Sequence, residues 1–459
     1  MSDSLLIHNA AVLTGADAAP MLYEASILIR GARIIEIGPK AELDLRYPDV
    51  TRFDATGHLT APGLANCHVH LPRVLARGLF EDQNQPNKAP YSRKGFLSFP
   101  KMTSQERDVM VRLSLLEAIK SGTTALMEVG SGLHEYASVL ASSGMRIVLA
   151  EQFADRAAGE RVGEPSKITF APRDPAVADI RLRTLVDQYH GFEGRMRVAV
   201  AAHAPDMCSP ALLRQLIDLR ETHSLLSTVH LNQYWGEVDA IRATFGCLPT
   251  EHMVRSGFLD EGVIAVHCRC MTSAEEKLLG SKKSVVCYTP AVSARAGNSA
   301  RIGALQAAGA SIVLGSDEFT ADMVEVMRLS ILLERVRTRE PQASAPADAW
   351  IWATSAGYAA LGFNDAGVLT PGALADLVLI DLRKAHLTPT INVPSSFVHQ
   401  GQASDVSSVM VNGKWLMKNG QVSVFNEQDV IAEAESVGRV VWRRALENQP
   451  DLQRRLDLN

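Results

Sequence analysis

The sequence predicts an α/β fold, a (β/α)8 TIM-like barrel with a small β-sandwich built from the N- and C-terminal segments. Two observations predict it. Residues 58–364 alternate short apolar runs with amphipathic stretches, which is typical of parallel strands that are each followed by a helix. Both ends of the chain carry short alternating segments broken by glycine, which is typical of antiparallel strands.

The terminal segments are expected to form the sandwich. Residues 1–57 contain LLIHNAAVLT, ASILIRGARIIEIG and TRFDATG, in which apolar and polar residues alternate. A period of two predicts half-buried strands, because successive side chains of a strand point to opposite faces. Short segments of this kind return in residues 365–425, and a helix is predicted over residues 426–459.

The barrel is predicted from eight strand–helix units over residues 58–364. The candidate strands are LTAPGLANCHVH, TALMEV, RIVLAEQF, RVAVAAHA, STVHLNQ, VIAVHC, SVVCYTP and SIVLGSD. The first helical stretch, TSQERDVMVRLSLLEAIKSG, opens with a capping box of Thr103 or Ser104 ahead of Glu106 or Arg107. Eight units in order favour a closed barrel over an open doubly wound sheet.

The composition argues against several classes of function. A net charge of −5 and a pI near 6.2 do not fit a nucleic-acid-binding or membrane-surface protein. The chain has no run of about 18 apolar residues and no signal-peptide pattern at its start. Six cysteines in a chain of 459 residues do not predict a disulfide framework. We therefore expect a reduced, cytoplasmic protein.

Six polar side chains stand where predicted barrel strands end, the face at which barrel enzymes place their chemistry. They are, in chain order, His68, His70, His203, His230, His267 and Asp317. The first two lie one residue apart, so a strand directs both imidazoles to the same side. A single histidine there is more often packed or solvated. Five histidines and a carboxylate at one end of the barrel indicate a metal site.

Imidazole nitrogens and a carboxylate oxygen suit Zn²⁺ or Fe²⁺. Such a metal lowers the pKa of bound water toward neutrality and supplies hydroxide as a nucleophile. Asp317 is the carboxylate placed to take the proton. We therefore expect one divalent metal per chain, with Zn²⁺ as the first choice and Fe²⁺ as the alternative.

Seven stretches resemble the amidohydrolase superfamily and, within it, the cytosine deaminase-like, triazine hydrolase (ATZ/TRZ) branch. They are APGLANCHVHLP, SGTTALMEV, AHAPDMCSP, VHLNQYWGEV, VHC, LGSD and GVLTPGALADLVLIDL, and the resemblance extends to about residue 420. The resemblance implies a metal held by His68, His70, His230 and Asp317. It also implies that His267 orients the hydroxide or the substrate, or approaches the metal as a fifth ligand, and that His203 contacts the substrate.

Position 233 departs from the pattern of that branch. Deaminating members carry a glutamate three residues after the histidine of the fifth strand, and this glutamate shuttles a proton to the ring and the leaving ammonia. Here the residue is Gln233, which forms hydrogen bonds but cannot titrate. Glu237 matches a structural glutamate at a helix start, Glu318 would point to the opposite face if the strand continues, and Asp322 is a further candidate. We expect Gln233 to orient the substrate and Asp317 to carry the proton.

The segment after the first barrel strand, residues 71–101, is long and basic. Its basic residues are Arg73, Arg77, Lys88, Arg93, Lys94 and Lys101, against two acidic residues. One interpretation is a solvated loop. The other is an anion-binding mouth, with Arg73 as the substrate-binding candidate and Tyr91, Phe96 and Phe99 closing over a planar ring.

The sequence therefore predicts a metal-dependent hydrolase that attacks an sp² carbon of a small nitrogen heterocycle and releases an amino group. The alternatives are release of chloride, an alkylamine or a sulfur group, and opening of a cyclic amide as in imidazolonepropionase-like relatives. A non-catalytic binding relative is the remaining alternative. The expected partners are the heterocycle, which carries a carboxylate if the basic loop binds it, and further copies of the chain in a homo-oligomer.

Overall fold

The computed structural model describes residues 4–15, 21–80, 99–157, 167–449 and 453–454. Within these residues the strands form two sheets, one with eight strands and one with nine. The eight-stranded sheet is parallel throughout and forms the barrel, and the nine-stranded sheet is mixed and comes from the two ends of the chain. The predicted fold class is confirmed.

The elements are numbered along the chain. The strands are β1 (Ser4–Leu13), β2 (Met21–Arg30), β3 (Arg33–Pro39), β4 (Thr51–Asp54), β5 (His58–Pro62), β6 (Leu64–Val69), β7 (Thr123–Gly130), β8 (Arg146–Phe153), β9 (Met196–Ala202), β10 (Leu226–Leu231), β11 (Ile264–His267), β12 (Val285–Tyr288), β13 (Ser311–Leu314), β14 (Leu377–Asp381), β15 (Val406–Val411), β16 (Lys414–Lys418) and β17 (Gln421–Val422). The helices are α1 (Lys40–Arg46), α2 (Ser104–Lys120), α3 (Ala137–Ser142), α4 (Pro175–Tyr189), α5 (Pro210–Thr222), α6 (Trp235–Phe245), α7 (Pro249–Arg255), α8 (Ser273–Ser281), α9 (Pro290–Arg295), α10 (Ile302–Ala307), α11 (Met323–Thr338), α12 (Pro346–Ala353), α13 (Ser355–Ala360), α14 (Val393–Gln400) and α15 (Glu427–Ala445).

The barrel runs from β6 to β13 in chain order, each strand pairing with the next. The first and last strands meet at their C-terminal ends. There the amide of Asp317 donates to the carbonyl of His68 at 3.0 Å, and the amide of His70 donates to the carbonyl of Asp317 at 3.2 Å. The barrel therefore closes through the main chain of three predicted site residues, which fixes their positions relative to one another.

The interior of the barrel is packed with small and medium apolar side chains. Along β7, Ala125, Met127 and Val129 belong to the inner cluster, whereas Leu126 packs in the cluster formed with the helices. This alternation follows from the period of two in a strand. Tyr358, on α13, joins the inner cluster. The barrel is thus a filled core, which leaves the strand ends as the place for chemistry.

The terminal sheet joins the two ends of the chain through β5, which pairs with β1 and with β14. Residues 58–62, which the sequence analysis assigned to the barrel, therefore lie in this sheet. Gly63 is the link to β6. A Cβ at Gly63 would lie 2.0 Å from Oγ1 of Thr124, so only glycine fits where the chain passes from one sheet to the other.

The C-terminal helix α15 packs against α2 and the turn that follows β6. Nε1 of Trp442 donates to the carbonyl of Leu75 at 2.6 Å, and Trp442 packs with Phe80 and Phe319. At the start of α2, Thr103 and Glu106 form the capping box that the sequence predicts. Helix α15 therefore supports the turn that carries Arg73 and the chain beyond Asp317.

Two further findings bear on the composition. All six cysteines are free and buried. Among the described residues, no helix combines the length and apolar character needed to cross a membrane. The cytoplasmic compartment and the homo-oligomeric state stay predictions.

Candidate active site

Four imidazoles and one carboxylate converge at the C-terminal end of the barrel. His68 and His70 come from the end of β6, His230 from β10, His267 from the end of β11, and Asp317 from the turn after β13. The ring centroids of His68 lie 4.7 Å from those of His70 and 4.8 Å from those of His230. Candidate ligand atoms lie within 4.8 Å of one another in a group formed by His68, His70 and His230. The same holds in a group formed by His68, His267 and Asp317.

The hydrogen bonds of two rings fix which nitrogen faces the centre. Nδ1 of His70 lies 2.6 Å from the carbonyl oxygen of Val129, and Nδ1 of His230 lies 2.6 Å from the carbonyl oxygen of His203. A carbonyl only accepts, so each Nδ1 carries the proton and donates it. The Nε2 atoms of His70 and His230 lie 3.4 Å apart. Both therefore turn a lone pair toward the same point, as metal ligands do.

Several nitrogens of the cluster have no hydrogen-bond partner among the described residues. These are both ring nitrogens of His68 and Nε2 of His267, and all three are buried. Nδ1 of His267 lies 2.9 Å from Oγ1 of Thr289, which orients the ring. Unsatisfied buried nitrogens are costly, and a cation bound at the Nε2 atoms of His68 and His267 would satisfy two of the three. The residues present therefore fit a divalent metal.

The electrostatics of the rings agree with that fit. Burial is the main cause that lowers the pKa of His68, His230 and His267 well below the ordinary range, and the neighbouring imidazoles lower the pKa further. Burial also lowers the pKa of His70. The imidazoles are therefore neutral at neutral pH, which is the state in which histidine binds a metal.

Asp317 lies at the centre of the cluster. Its Oδ1 is 3.8 Å from Nε2 of His68 and 3.6 Å from Nε2 of His70, and its Oδ2 is 3.6 Å from Nε2 of His267. Burial, and then the negative charge of Glu318, raise the pKa of Asp317 to about 7. A carboxyl group with such a pKa can accept and return a proton near neutral pH.

Glu318 does not point to the opposite face, because the strand on which that expectation depended does not continue to Asp317. A carboxylate oxygen of Glu318 lies within 4.8 Å of candidate ligand atoms on His70 and Asp317. Strand β13 ends at Leu314, and Asp317 and Phe319 have φ angles of 65° and 73°. The alternation of a strand therefore does not apply here. The sequence shows the two adjacent carboxylates but carries no signal for this backbone conformation.

Arg73, the predicted anion-binding residue, is paired with a carboxylate of the protein. Its Nε lies 2.5 Å from Oε1 of Glu318, and its guanidinium stacks over Phe99 at 4.8 Å from the ring centroid. The positive charge of Arg73 is therefore balanced within the protein. Residues 81–98, which include Lys88, Tyr91, Arg93, Lys94 and Phe96, lie outside the described residues. The anionic substrate stays a prediction.

The loop after β10 holds Gln233 through its main chain. The Glu237 carboxylate accepts hydrogen bonds from the amides of Asn232 and Gln233, at 2.8 and 2.9 Å. Arg269 donates to the carbonyl of Gln233 at 2.5 Å. Glu237 thus has the structural part that its position suggests. The ring of His203 lies 5.5 Å from that of His230, and burial lowers the pKa of His203 to about 4.

The amidohydrolase family model matches residues 59–416. This chain belongs to the amidohydrolase family. The superfamily resemblance is thereby confirmed, and the protein is a hydrolase of carbon–nitrogen bonds other than peptide bonds.

Named relatives extend this family assignment. A 5-methylthioadenosine/S-adenosylhomocysteine deaminase of Pelotomaculum thermopropionicum is 29% identical over 438 residues, which cover 94% of this chain and 97% of the relative. An adenosine deaminase from Xanthomonas campestris, solved with bound zinc, superposes with a TM-score of 0.82 at 22% identity and covers 95% of this chain and 98% of its own. Atrazine chlorohydrolase from Arthrobacter aurescens, solved with zinc, gives a TM-score of 0.82 at 21% identity, with 95% and 100% covered. The two solved structures share the fold of this chain, and the activities in their names differ in leaving group.

Proposed function

We propose that this amidohydrolase hydrolytically deaminates an adenosine-like heterocycle. The observation that carries the proposal is the convergence of the Nε2 atoms of His68, His70 and His267 on the Asp317 carboxylate at the mouth of the barrel, with His230 grouped beside His68 and His70. The names of the relatives support the choice of substrate, since the Pelotomaculum enzyme is a deaminase of 5-methylthioadenosine and S-adenosylhomocysteine. The relevant bond is the one between a ring carbon and its amino group.

The residues proposed to hold the metal are His68, His70, His230 and Asp317, and His267 is grouped with His68 and Asp317 as a candidate fifth ligand. Zinc is the proposed metal because nitrogen and oxygen ligands in this number suit it. A bound divalent cation activates water by lowering its pKa and polarises the ring carbon that is attacked.

The protein's own groups would then move protons and orient the ring. Asp317, whose pKa is raised by burial in the metal-free protein, would take a proton from the attacking water and deliver one to the departing amine. His267, oriented by Thr289, would orient the attacking hydroxide or the substrate by a hydrogen bond. Gln233 orients the ring through its amide, and His203 lines the same space.

The test is an assay of ammonia release. Purified, zinc-loaded enzyme is incubated with adenosine, 5-methylthioadenosine, S-adenosylhomocysteine, a pterin, an aminotriazine and an imidazolone. We expect ammonia from at least one adenosine-like compound. The Asp317→Asn variant serves as the control and should lose this activity while keeping its thermal unfolding temperature. Hydrolysis of the imidazolone alone would contradict the proposal and favour cyclic amide opening.

Gln233 favours a second candidate function, release of a stable anion such as chloride. A glutamine cannot protonate a leaving amine, and chloride needs less proton assistance than an amine does. The same panel with 6-chloropurine riboside tests this candidate, because chloride release without ammonia release from any amine would replace deamination as the assigned reaction.

A further inference from the structure

We propose that Glu318 binds the amino group of the substrate, and that this contact makes the site selective for amino-substituted rings over halogenated ones. The inference rests on the proposed deaminase function and adds to it the residue that recognises the leaving group. In the family pattern a carboxylate would stand at position 233, which is Gln233 here. Among the described residues, Glu318 is the acidic side chain grouped with the site besides Asp317.

The position of Glu318 suits contact with a substrate. Side-chain exposure rises from 4% for Asp317 to 27% for Glu318 and 31% for Arg73. Glu318 therefore lies between the buried centre and the opening, within 4.8 Å of candidate ligand atoms on His70 and Asp317. A ring held for attack at the centre would bring its amino group to this carboxylate.

The backbone on both sides of Glu318 is held in a costly conformation. Asp317 and Phe319 have positive φ angles, which are strained for residues other than glycine. The protein offsets this cost locally. Arg77 donates to the carbonyl of Phe319 at 2.6 Å, and the Phe319 ring lies 6.3 Å from Phe80 in an apolar cluster. Such strain is typical of functional sites. Here the strained backbone lets the carboxylates of Asp317 and Glu318 both face the histidine centre.

Arg73 acts as a positioning residue for Glu318. Its ion pair with Oε1 at 2.5 Å and its stacking on Phe99 hold the carboxylate in place. An ionised carboxylate has two oxygens and about four acceptor sites, so the ion pair leaves capacity to accept another hydrogen bond. The Arg73–Glu318 pair therefore presents an oriented carboxylate acceptor to the substrate, and not an unpaired positive charge.

This acceptor discriminates between leaving groups. An amino group donates an N–H to a carboxylate, whereas a chlorine atom donates nothing and leaves the carboxylate without that partner. The amide of Gln233 both donates and accepts, so it does not discriminate in this way. A hydrogen bond to a charged acceptor corresponds to about ten- to a hundredfold in affinity.

The experiment compares one amine with its chloride analogue, starting with adenosine and 6-chloropurine riboside, or the matching pair on whichever ring the wild type deaminates. The values of kcat and KM are measured for the wild type, Glu318→Ala and Glu318→Gln, together with zinc content. We expect Glu318→Ala to lower kcat/KM for the amine about ten- to a hundredfold, mainly through KM. The chloride analogue should change little, so the amine-to-chloride ratio falls. Glu318→Gln keeps an acceptor oxygen and should be intermediate.

Arg73→Gln and the double variant Arg73→Gln/Glu318→Ala test the positioning part. Arg73→Gln should lower the same ratio by less than Glu318→Ala does, and the double variant should fall no further than Glu318→Ala. A ratio that Arg73→Gln leaves unchanged would show that Arg73 only stabilises the turn, and would overturn its positioning part.

Three outcomes separate this inference from the proposed function. Deamination by the wild type with an unchanged ratio in Glu318→Ala would overturn the inference and leave the function standing. Loss of zinc from Glu318→Gln would make Glu318 a metal ligand and would also overturn it. A wild type that deaminates no compound would overturn the proposed function, and the inference would fall with it.

Discussion

Two clusters of buried polar groups lie at opposite ends of the barrel, and they differ in how many of their polar atoms have a hydrogen-bond partner. At the N-terminal end, Arg146 of β8 pairs with Asp376 and both are fully buried; we call this the Arg146–Asp376 joint. Asp376 also accepts from the amide of Asn412 at 2.8 Å and from the hydroxyl of Tyr358 at 3.2 Å. At the C-terminal end lies the histidine centre, which consists of His68, His70, His230, His267 and Asp317. Three of its buried ring nitrogens have no hydrogen-bond partner among the described residues.

The difference shows how a structural cluster and a ligand site can be told apart. In the Arg146–Asp376 joint the protein itself supplies the partners, so the cluster holds the terminal sheet to the bottom of the barrel. In the histidine centre the ring nitrogens converge on one point, and the described residues do not supply all of their partners. A bound ligand would supply the missing ones. Variants of the joint should therefore change stability, and variants of the centre should change metal binding and activity.

The largest expected effect is on turnover in Asp317→Asn. The amide cannot exchange the proton, so kcat should fall by about a hundred- to ten-thousandfold, with part of the metal retained. Unfolding of the metal-free variant should stay within about 1 kcal/mol of the wild type, because burial already disfavours the charged form of Asp317. Rate measurements and thermal unfolding of the metal-free protein check both points. A large loss of unfolding free energy in Asp317→Asn would show that Asp317 has a structural role like that of the Arg146–Asp376 joint.

The Arg146–Asp376 joint should show the opposite pattern. Asp376→Ala leaves the Arg146 guanidinium buried without its charge partner, which costs about 3–5 kcal/mol of unfolding free energy. The measurement is urea unfolding of the metal-free protein, with Arg146→Met/Asp376→Leu as the matched control that removes both charges. The control should recover part of the loss. An unchanged urea midpoint of unfolding in Asp376→Ala would contradict the structural role given to the Arg146–Asp376 joint.

A smaller effect is expected from Thr289→Val, which removes the group that orients His267. Outer partners of metal-site histidines are typically worth about ten- to a hundredfold in activity or metal affinity, and we expect a loss of kcat in that range. Ser293→Ala on α9 is the control, since Ser293 is also buried but its hydroxyl has no hydrogen-bond partner among the described residues. Equal activity in the two variants would argue that His267 needs no orientation.

The next prediction concerns the pH dependence of stability, and it rests on Glu128 of β7. Its carboxyl accepts from the amide of Leu71 and the hydroxyl of Tyr136, and burial raises the pKa of Glu128 from 4.5 to about 8. Below pH 4.5 both folded and unfolded states bind the proton, whereas between pH 4.5 and pH 8 only the folded state keeps it. Stability should therefore fall as pH rises through this window and level off above it. Glu128→Gln should flatten the slope in thermal unfolding of the metal-free protein; an identical slope would show that Glu128 does not titrate this way.

The barrel and the histidine centre could be predicted because their signals are local. The period of two, the capping box at Thr103 and a histidine at a strand end are each recognised from a few consecutive residues. The orientation of Glu318 could not, because it depends on the positive φ of Asp317. The Arg73–Glu318 pair and the Arg146–Asp376 joint could not either, since they join residues more than two hundred positions apart.

Metal binding tests most directly the central claim, that His68, His70, His230 and Asp317 of the histidine centre hold zinc. Zinc is titrated calorimetrically into metal-free wild type, His68→Ala and, as the control at the other end of the barrel, Asp376→Asn. We predict one tightly bound zinc per chain in the wild type and in the folded fraction of Asp376→Asn, and loss of that binding in His68→Ala. A His68→Ala protein that still binds one equivalent with wild-type affinity would contradict the claim.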